Sequence, residues 1–273
     1  MLAKVLFMKK RLVNNYHTHT FRCGHAGGTD EEYVKAAIKA GIKELGFSDH
    51  IFYPGRPQDG IRQTEISSVD YINSIKALKE KYKKKIKIYV GYESEYQPST
   101  HDLLKSLLDE RVIDYLILGN HCFFDENNQY RWYCSYQNDK LHAKLYVDNT
   151  IEGMKSGLFK YVAHPDMILN GYHYQDEFIT KEIMRLINAS IIYNCPLEIN
   201  LLGHLRHKPN DYNDEGYYPY SRFWELVGRL KAPVIIGIDA HMPCHFQSYP
   251  LDYALGLVKT YNLHLIEKID IEK

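Results

Sequence analysis

The chain has 273 residues, enough for one well-buried barrel or sandwich or for two small domains. Its 34 Lys and Arg balance 34 Asp and Glu, so it has no global electrostatic footprint for nucleic acid. No apolar run reaches membrane-spanning length, and Met1–Arg11 lacks the apolar centre of a secretion signal. The five cysteines (Cys23, Cys122, Cys134, Cys195 and Cys244) form no CxxC pair. That pattern argues against a disulfide framework and for a reducing, cytoplasmic setting.

Strand and helix signals alternate along the chain. Short apolar runs ending near Tyr16, Phe47, Val90, Leu118, Val162, Ile199 and Ile238 read as strands. Thr29-Asp30-Glu31-Glu32 is a capping box that opens a helix, and Gly41 closes it. Further helices are expected at about 68–84, 100–110, 140–155, 176–194, 217–230 and 246–261. Such repeated strand–helix units imply a parallel sheet, and its closure gives an α/β barrel of TIM-like design. An open doubly wound sheet is the other solution, but no Gly-rich phosphate loop follows the first strand. No linker or low-complexity stretch divides the chain, so residues 1–273 read as a single barrel domain.

In parallel barrels the chemistry sits at the C-terminal strand ends. Those ends read Tyr16-His17-Thr18-His19 with His25 just after, Ser48-Asp49-His50, Gly91-Tyr92-Glu93-Ser94-Glu95, Gly119-Asn120-His121, Ala163-His164-Pro165-Asp166, Glu198-Ile199-Asn200 and Gly237-Ile238-Asp239-Ala240-His241. A lone histidine is usually a hydrogen-bonded core or surface residue. Histidines at most ends of one barrel face are a different matter. Imidazole and carboxylate together suit zinc, iron or manganese. In the pairs His17/His19 and Asp239/His241 both members face the same side of a strand. Nine candidate ligands follow: His17, His19, His25, His50, Glu93, His121, His164, Asp239 and His241. One four- or five-coordinate ion cannot use nine ligands, whereas two or three divalent ions can, with Glu93 on a central strand as the expected bridge.

The same motifs, spread over nearly the whole chain, resemble the PHP (polymerase and histidinol phosphatase) family. The resemblance implies a distorted (β/α)7 barrel with the active site at the C-terminal ends of the strands. It also implies three metal groups: His17, His19, Glu93 and Asp239; Glu93, His121 and His164; and His25, His50 and His241. Length and the lack of appended domains are similar to the stand-alone histidinol-phosphate phosphatases of that family. The implied reaction is hydrolysis of L-histidinol phosphate to L-histidinol and phosphate in histidine biosynthesis, by attack of a metal-bound hydroxide on phosphorus.

Roles beyond the ligands follow from position. Asp239 is a candidate proton shuttle, and His207 is a candidate acid for the leaving oxygen and a substrate contact. In the loops, Arg206 is a candidate for phosphate, through bidentate pairing, Glu65 for the ammonium group, and Arg62 for a further substrate contact. Asp49 and Asp166 are candidates to orient imidazoles, and Glu95 shares the strand face of Glu93. His101, His142, His173, His204 and His245 read as ordinary helix or loop residues. The expected partner is a small-molecule phosphate ester rather than nucleic acid or membrane. Competing readings are a nucleic-acid phosphodiesterase or protein-tyrosine phosphatase on the same barrel, and a non-catalytic metal-binding regulatory module, which the full ligand set disfavours.

Overall fold

Hydrophobic alternation gives way to helical spacing seven times along the chain, and the backbone follows it. The computed structural model describes residues 11–56, 60–172, 175–206 and 218–272. Its strands are β1 (Asn14–Asn15), β2 (Glu44–His50), β3 (Lys87–Ser94), β4 (Tyr115–Leu118), β5 (Cys122–Phe124), β6 (Tyr130–Trp132), β7 (Leu197–Asn200), β8 (Pro233–Gly237) and β9 (His264–Leu265). β1 to β4 pair in order, all parallel. Single parallel bridges carry the sheet onward, from Leu118 to Val162 and from Val162 to Leu197. β7 pairs with β8, and a bridge from Ala240 to Thr18 returns to the first strand. The result is a distorted seven-stranded parallel barrel. The distortion is greatest at the fifth position, which is reduced to the bridge at Val162.

The helices are α1 (Asp30–Ala40), α2 (Glu65–Tyr82), α3 (His101–Asp109), α4 (Lys140–Ser156), α5 (Ile168–Gly171), α6 (Glu177–Ile192), α7 (Leu201–Arg206), α8 (Ser221–Leu230), α9 (His245–Ser248) and α10 (Leu251–Thr260). At α1, Thr29 accepts from the Glu32 amide, Glu32 accepts from the Thr29 amide, and left-handed Gly41 ends the helix. α2 starts earlier than periodicity suggests, because Thr64 and Ser67 form a second capping box. The helix expected over 246–261 is two helices, separated at Pro250, which offers no backbone N–H. α8 begins at Ser221, and the antiparallel hairpin β5–β6 was not anticipated. No helix among the described residues is long and apolar enough to cross a membrane.

Two cores result. The larger fills the space between strands and helices, with Phe47, Val90, Leu116 and Trp224 fully buried or nearly so. The smaller lies inside the barrel, where Tyr16, Tyr89, Tyr115, Tyr161 and Ile235 pack with Ile269 and Ile271 of the segment after β9. The Tyr115 hydroxyl donates to the backbone oxygens of Tyr16 and Phe47 across the interior. Lys268 pairs with Glu44 and Lys87 with Glu272, tying that last segment to the strand starts. Above this apolar floor the inward positions become histidine and carboxylate.

Candidate metal centre

The strand ends bring the predicted ligands together. His17 and His19 follow β1, His50 closes β2, Glu93 lies near the end of β3, and His121 follows β4. His164 lies just past the bridge at Val162, and Asp239 and His241 follow β8. His19, His25, His50, Glu93, His121, His164, Asp239 and His241 line one cavity of about 260 Å³. His17 is fully buried. His164 and Asp239 have left-handed backbones, with φ of 30° and 55°. That conformation is costly for a non-glycine residue and concentrates at functional sites.

Glu93 is the hub. Its Oε1 lies 2.8 Å from His164 Nε2 and 3.5 Å from His121 Nε2. Its Oε2 lies 3.4, 3.3 and 3.3 Å from His17 Nε2, His19 Nε2 and His50 Nδ1. Each oxygen thus faces its own set of imidazoles, the arrangement a bridging carboxylate requires.

The donor set can be tested against a metal ion directly. His17 Nε2 and His19 Nε2 are 3.1 Å apart. Each lies 3.1–3.4 Å from Glu93 Oε2 and Asp239 Oδ1. A regular tetrahedron with edges near 3.3 Å has its centre ~2.0 Å from every corner, the length of a zinc–nitrogen or zinc–oxygen bond. His17 Nε2, His19 Nε2 and Glu93 Oε2 form one face of such a figure, spaced for a first-row divalent ion, and Asp239 Oδ1 stands beside its two imidazole corners. His25 is more peripheral, its ring centre 4.7 Å from that of His241 and 5.5 Å from that of His50. Cys23 stands close by, with Sγ 3.9 Å from His25 Nε2. It forms a further convergent trio with His19 and His241.

Outer partners hold many of the rings. His17 Nδ1 meets Glu198 Oε1 at 2.9 Å, His19 Nδ1 meets Asp49 Oδ1 at 3.4 Å, and His121 Nδ1 meets Glu95 Oε1 at 3.3 Å. His25 Nδ1 faces the Cys23 carbonyl at 3.1 Å, and His241 Nδ1 faces the Asp239 carbonyl at 3.0 Å. In His17, His25, His121 and His241, whose Nδ1 is hydrogen-bonded in this way, Nε2 is the lone-pair nitrogen left for the cavity. Asn200 Nδ2 donates to Glu198 Oε2 at 2.9 Å and to Asp239 Oδ2 at 3.1 Å. Glu198 and Asn200 stand at a strand end that sequence reasoning marked without assigning a role; their place in that list was the available signal.

The charges are strongly coupled. Burial opposes a charge on His17, but Asp239, Glu198 and Glu93 outweigh it and raise the imidazole well above its ordinary value. Burial likewise opposes ionisation of Glu93, yet His121, His17 and His50 hold it well below the carboxylate range. Asp239 is held low in the same way by His17 and His241. His25 falls to about 4 through burial and its neighbours His241 and His19, which keeps that ring neutral and able to donate a lone pair.

Other sequence candidates are spread more widely. Arg206, at the end of α7, lines the cavity with Asn170, Tyr218, Trp132 and Met167. Arg62 is buried behind the cluster, its Nη2 2.5 Å from Glu95 Oε1, and it is not among the lining residues. Glu65 is exposed in the first turn of α2, also away from the lining. His207 lies outside the described residues, as does His173. Asp49 faces His19 rather than its neighbour His50. Asp166 accepts from the Tyr220 amide and the Trp224 indole instead of an imidazole. His245 Nδ1 accepts from the His241 amide at 3.3 Å, His142 stacks on Tyr136, and His204 stacks on Tyr253.

Comparison with known proteins gives a consistent picture. The PHP domain model matches residues 15–201. A probable histidinol-phosphatase of Deinococcus radiodurans is 26% identical over 233 residues, covering 83% of this chain and 85% of that protein. A structure from Listeria monocytogenes, described as a candidate histidinol phosphatase, superposes with a TM-score of 0.71 at 18% identity, over 88% of this chain and 99% of that one. The histidinol phosphate phosphatase of Lactococcus lactis, solved with zinc, L-histidinol and phosphate, has a TM-score of 0.66 at 18% identity, over 96% of this chain and 100% of that one. At these identities the two structures show a shared fold.

Proposed function

Because this chain belongs to the PHP domain family, we propose that it is a metal-dependent phosphatase that hydrolyses L-histidinol phosphate to L-histidinol and phosphate. One observation carries the reading: Glu93 turns one oxygen toward His121 and His164 and the other toward His17, His19 and His50. That is the geometry of a carboxylate shared between ions. His17, His19, Glu93 and Asp239 would hold one ion. Glu93, His121 and His164 would hold a second, and His25, His50 and His241 a third. Zinc, iron and manganese suit this mixture of imidazole and carboxylate. When bound, such ions supply Lewis acidity toward phosphoryl oxygens and lower the pKa of water.

The chain's own residues supply the rest. Among the described lining residues, Arg206 is the only lysine or arginine, and it pairs with the substrate phosphate. Asn200 fixes Asp239 through Oδ2, leaving Oδ1 toward His17 and His19. Asp239 therefore serves first as a ligand, and any proton it takes up arrives on the cavity side. The described residues act as one barrel domain. The scattered, odd set of cysteines supports a cytoplasmic setting.

The test is a substrate panel on purified protein, run alongside elemental analysis for metal. It contains histidinol phosphate, a dinucleotide, a phosphotyrosyl peptide and an aryl phosphate. Histidinol phosphate is expected to give the highest kcat/KM. A higher value for the dinucleotide or the phosphopeptide moves the assignment to phosphodiesterase or protein phosphatase chemistry, and a metal-free, inactive protein ends it.

A further inference from the structure

Three consecutive loops of the barrel meet at one buried ion pair that no ligand role explains. Arg62 comes from the loop after β2, Glu95 directly follows β3, and His121 follows β4. The side chains of Arg62 and Glu95 are 0% and 1% exposed, and Arg62 Nη2 lies 2.5 Å from Glu95 Oε1. The same Oε1 is 3.3 Å from His121 Nδ1. Glu95 Oε2 accepts from the Tyr53 hydroxyl at 3.1 Å. On its far side the guanidinium donates through Nε to the Tyr130 hydroxyl at 2.9 Å, on the hairpin strand β6. Tyr53 and Tyr130 also flank it with their rings.

We infer that Glu95, neutralised by Arg62, is a dedicated positioning residue for His121, fixing which imidazole nitrogen faces the metal shared with Glu93 and His164. This rests on the metal reading of the site. The register of β3 makes it possible. Glu93 and Glu95 are two residues apart, so one carboxylate meets His121 on Nε2 and the other on Nδ1. A carboxylate on the outer nitrogen sets the tautomer and strengthens the ring as a ligand. It also needs a counter-charge, since Glu93 already places negative charge on the other side of the ring. Arg62 provides that counter-charge without entering the cavity. A buried ion pair adds little net stability compared with apolar groups of similar volume. Fixing geometry is therefore the function that accounts for it.

The test replaces both charges together, in Arg62→Met/Glu95→Gln, so that neither is left buried alone. Metal per chain and resistance to a competing chelator are measured with zinc as the probe, with thermal unfolding as the control. The expected result is a folded protein that releases one equivalent about 10–100-fold more readily than wild type, with the others unchanged. Tyr53→Phe, which leaves both charges in place, is expected to give a smaller change in the same equivalent. A folded double variant with wild-type chelator resistance overturns the proposal. If the double variant does not fold, Tyr53→Phe decides, and an unchanged profile there overturns it. A wild-type protein that binds no zinc fails the functional reading itself and removes this inference with it.

Discussion

The carboxylate of Glu93 occupies the space where a side chain at residue 119 would stand: a Cβ built on Gly119 would overlap Oε1, Cδ and Cγ of Glu93. Gly237 is related to Glu198 in the same way. Neither glycine has a positive φ, so the backbone at both positions would accept alanine. Space for a carboxylate is what they provide. Gly119→Ala is expected to leave the fold intact but push Glu93 off its position. Because misplacement by about 1 Å can cost roughly 100-fold, kcat/KM for histidinol phosphate should fall on that scale. Kinetics with circular dichroism check this; wild-type kcat/KM in the variant would show that Glu93 moves freely.

Glu198 reaches His17 Nδ1 with one oxygen and the His164 amide with the other. It touches the first and fifth strand positions at once. Glu198→Gln keeps the shape and removes the charge. A loss of roughly 10–100-fold in metal affinity is expected, read by chelator competition. Unchanged affinity would reduce Glu198 to a packing residue.

Arg206 is the cation available to a phosphate among the described lining residues. A charge-assisted hydrogen bond contributes about 1.5–3 kcal/mol, so Arg206→Ala should lower kcat/KM by roughly 10- to 150-fold, while metal content stays at the wild-type level. Steady-state kinetics decide. Equal kcat/KM in the two proteins removes Arg206 from substrate binding.

Asp166 is fully buried and its Oδ1 has no hydrogen-bond partner. Burial lifts its pKa to about 7, against the opposing effect of the Tyr220 amide and the Trp224 indole. The folded state therefore keeps a proton that the unfolded chain releases near pH 4. Stability contributed by this group falls as pH rises, and the loss is complete above about pH 7. About three pKa units correspond to ~4 kcal/mol, of which ~2–3 kcal/mol fall between pH 5 and pH 8. Asp166→Asn should remove that share of the pH dependence. Urea midpoints of both proteins at the two pH values test it; parallel shifts would show that Asp166 does not titrate in this range.

Much of the metal cluster was legible because strand alternation is a local signal. His17 and His19, or Asp239 and His241, declare a common face by their spacing alone, and the strand end supplies the rest. The loops were harder to read, because a charged residue there is placed by contacts far away in sequence. Arg62 reads in the sequence as a substrate contact, but the fold puts Glu95, 33 residues on, against it. Asp49 sits next to His50 in sequence yet faces His19, since neighbours on a strand point to opposite sides. The hairpin β5–β6 carries three-residue strands, too short for periodicity to reveal.

The two mouths of the barrel are unequal. Ile269 and Ile271 stopper one end against a layer of tyrosines, while the other opens through the histidines. Traffic through the barrel is therefore single-ended. A substrate that reaches the ions and the products it leaves behind must use the same door, and the alcohol cannot drain away beneath the phosphate. Turnover then depends on the order in which two products vacate one passage.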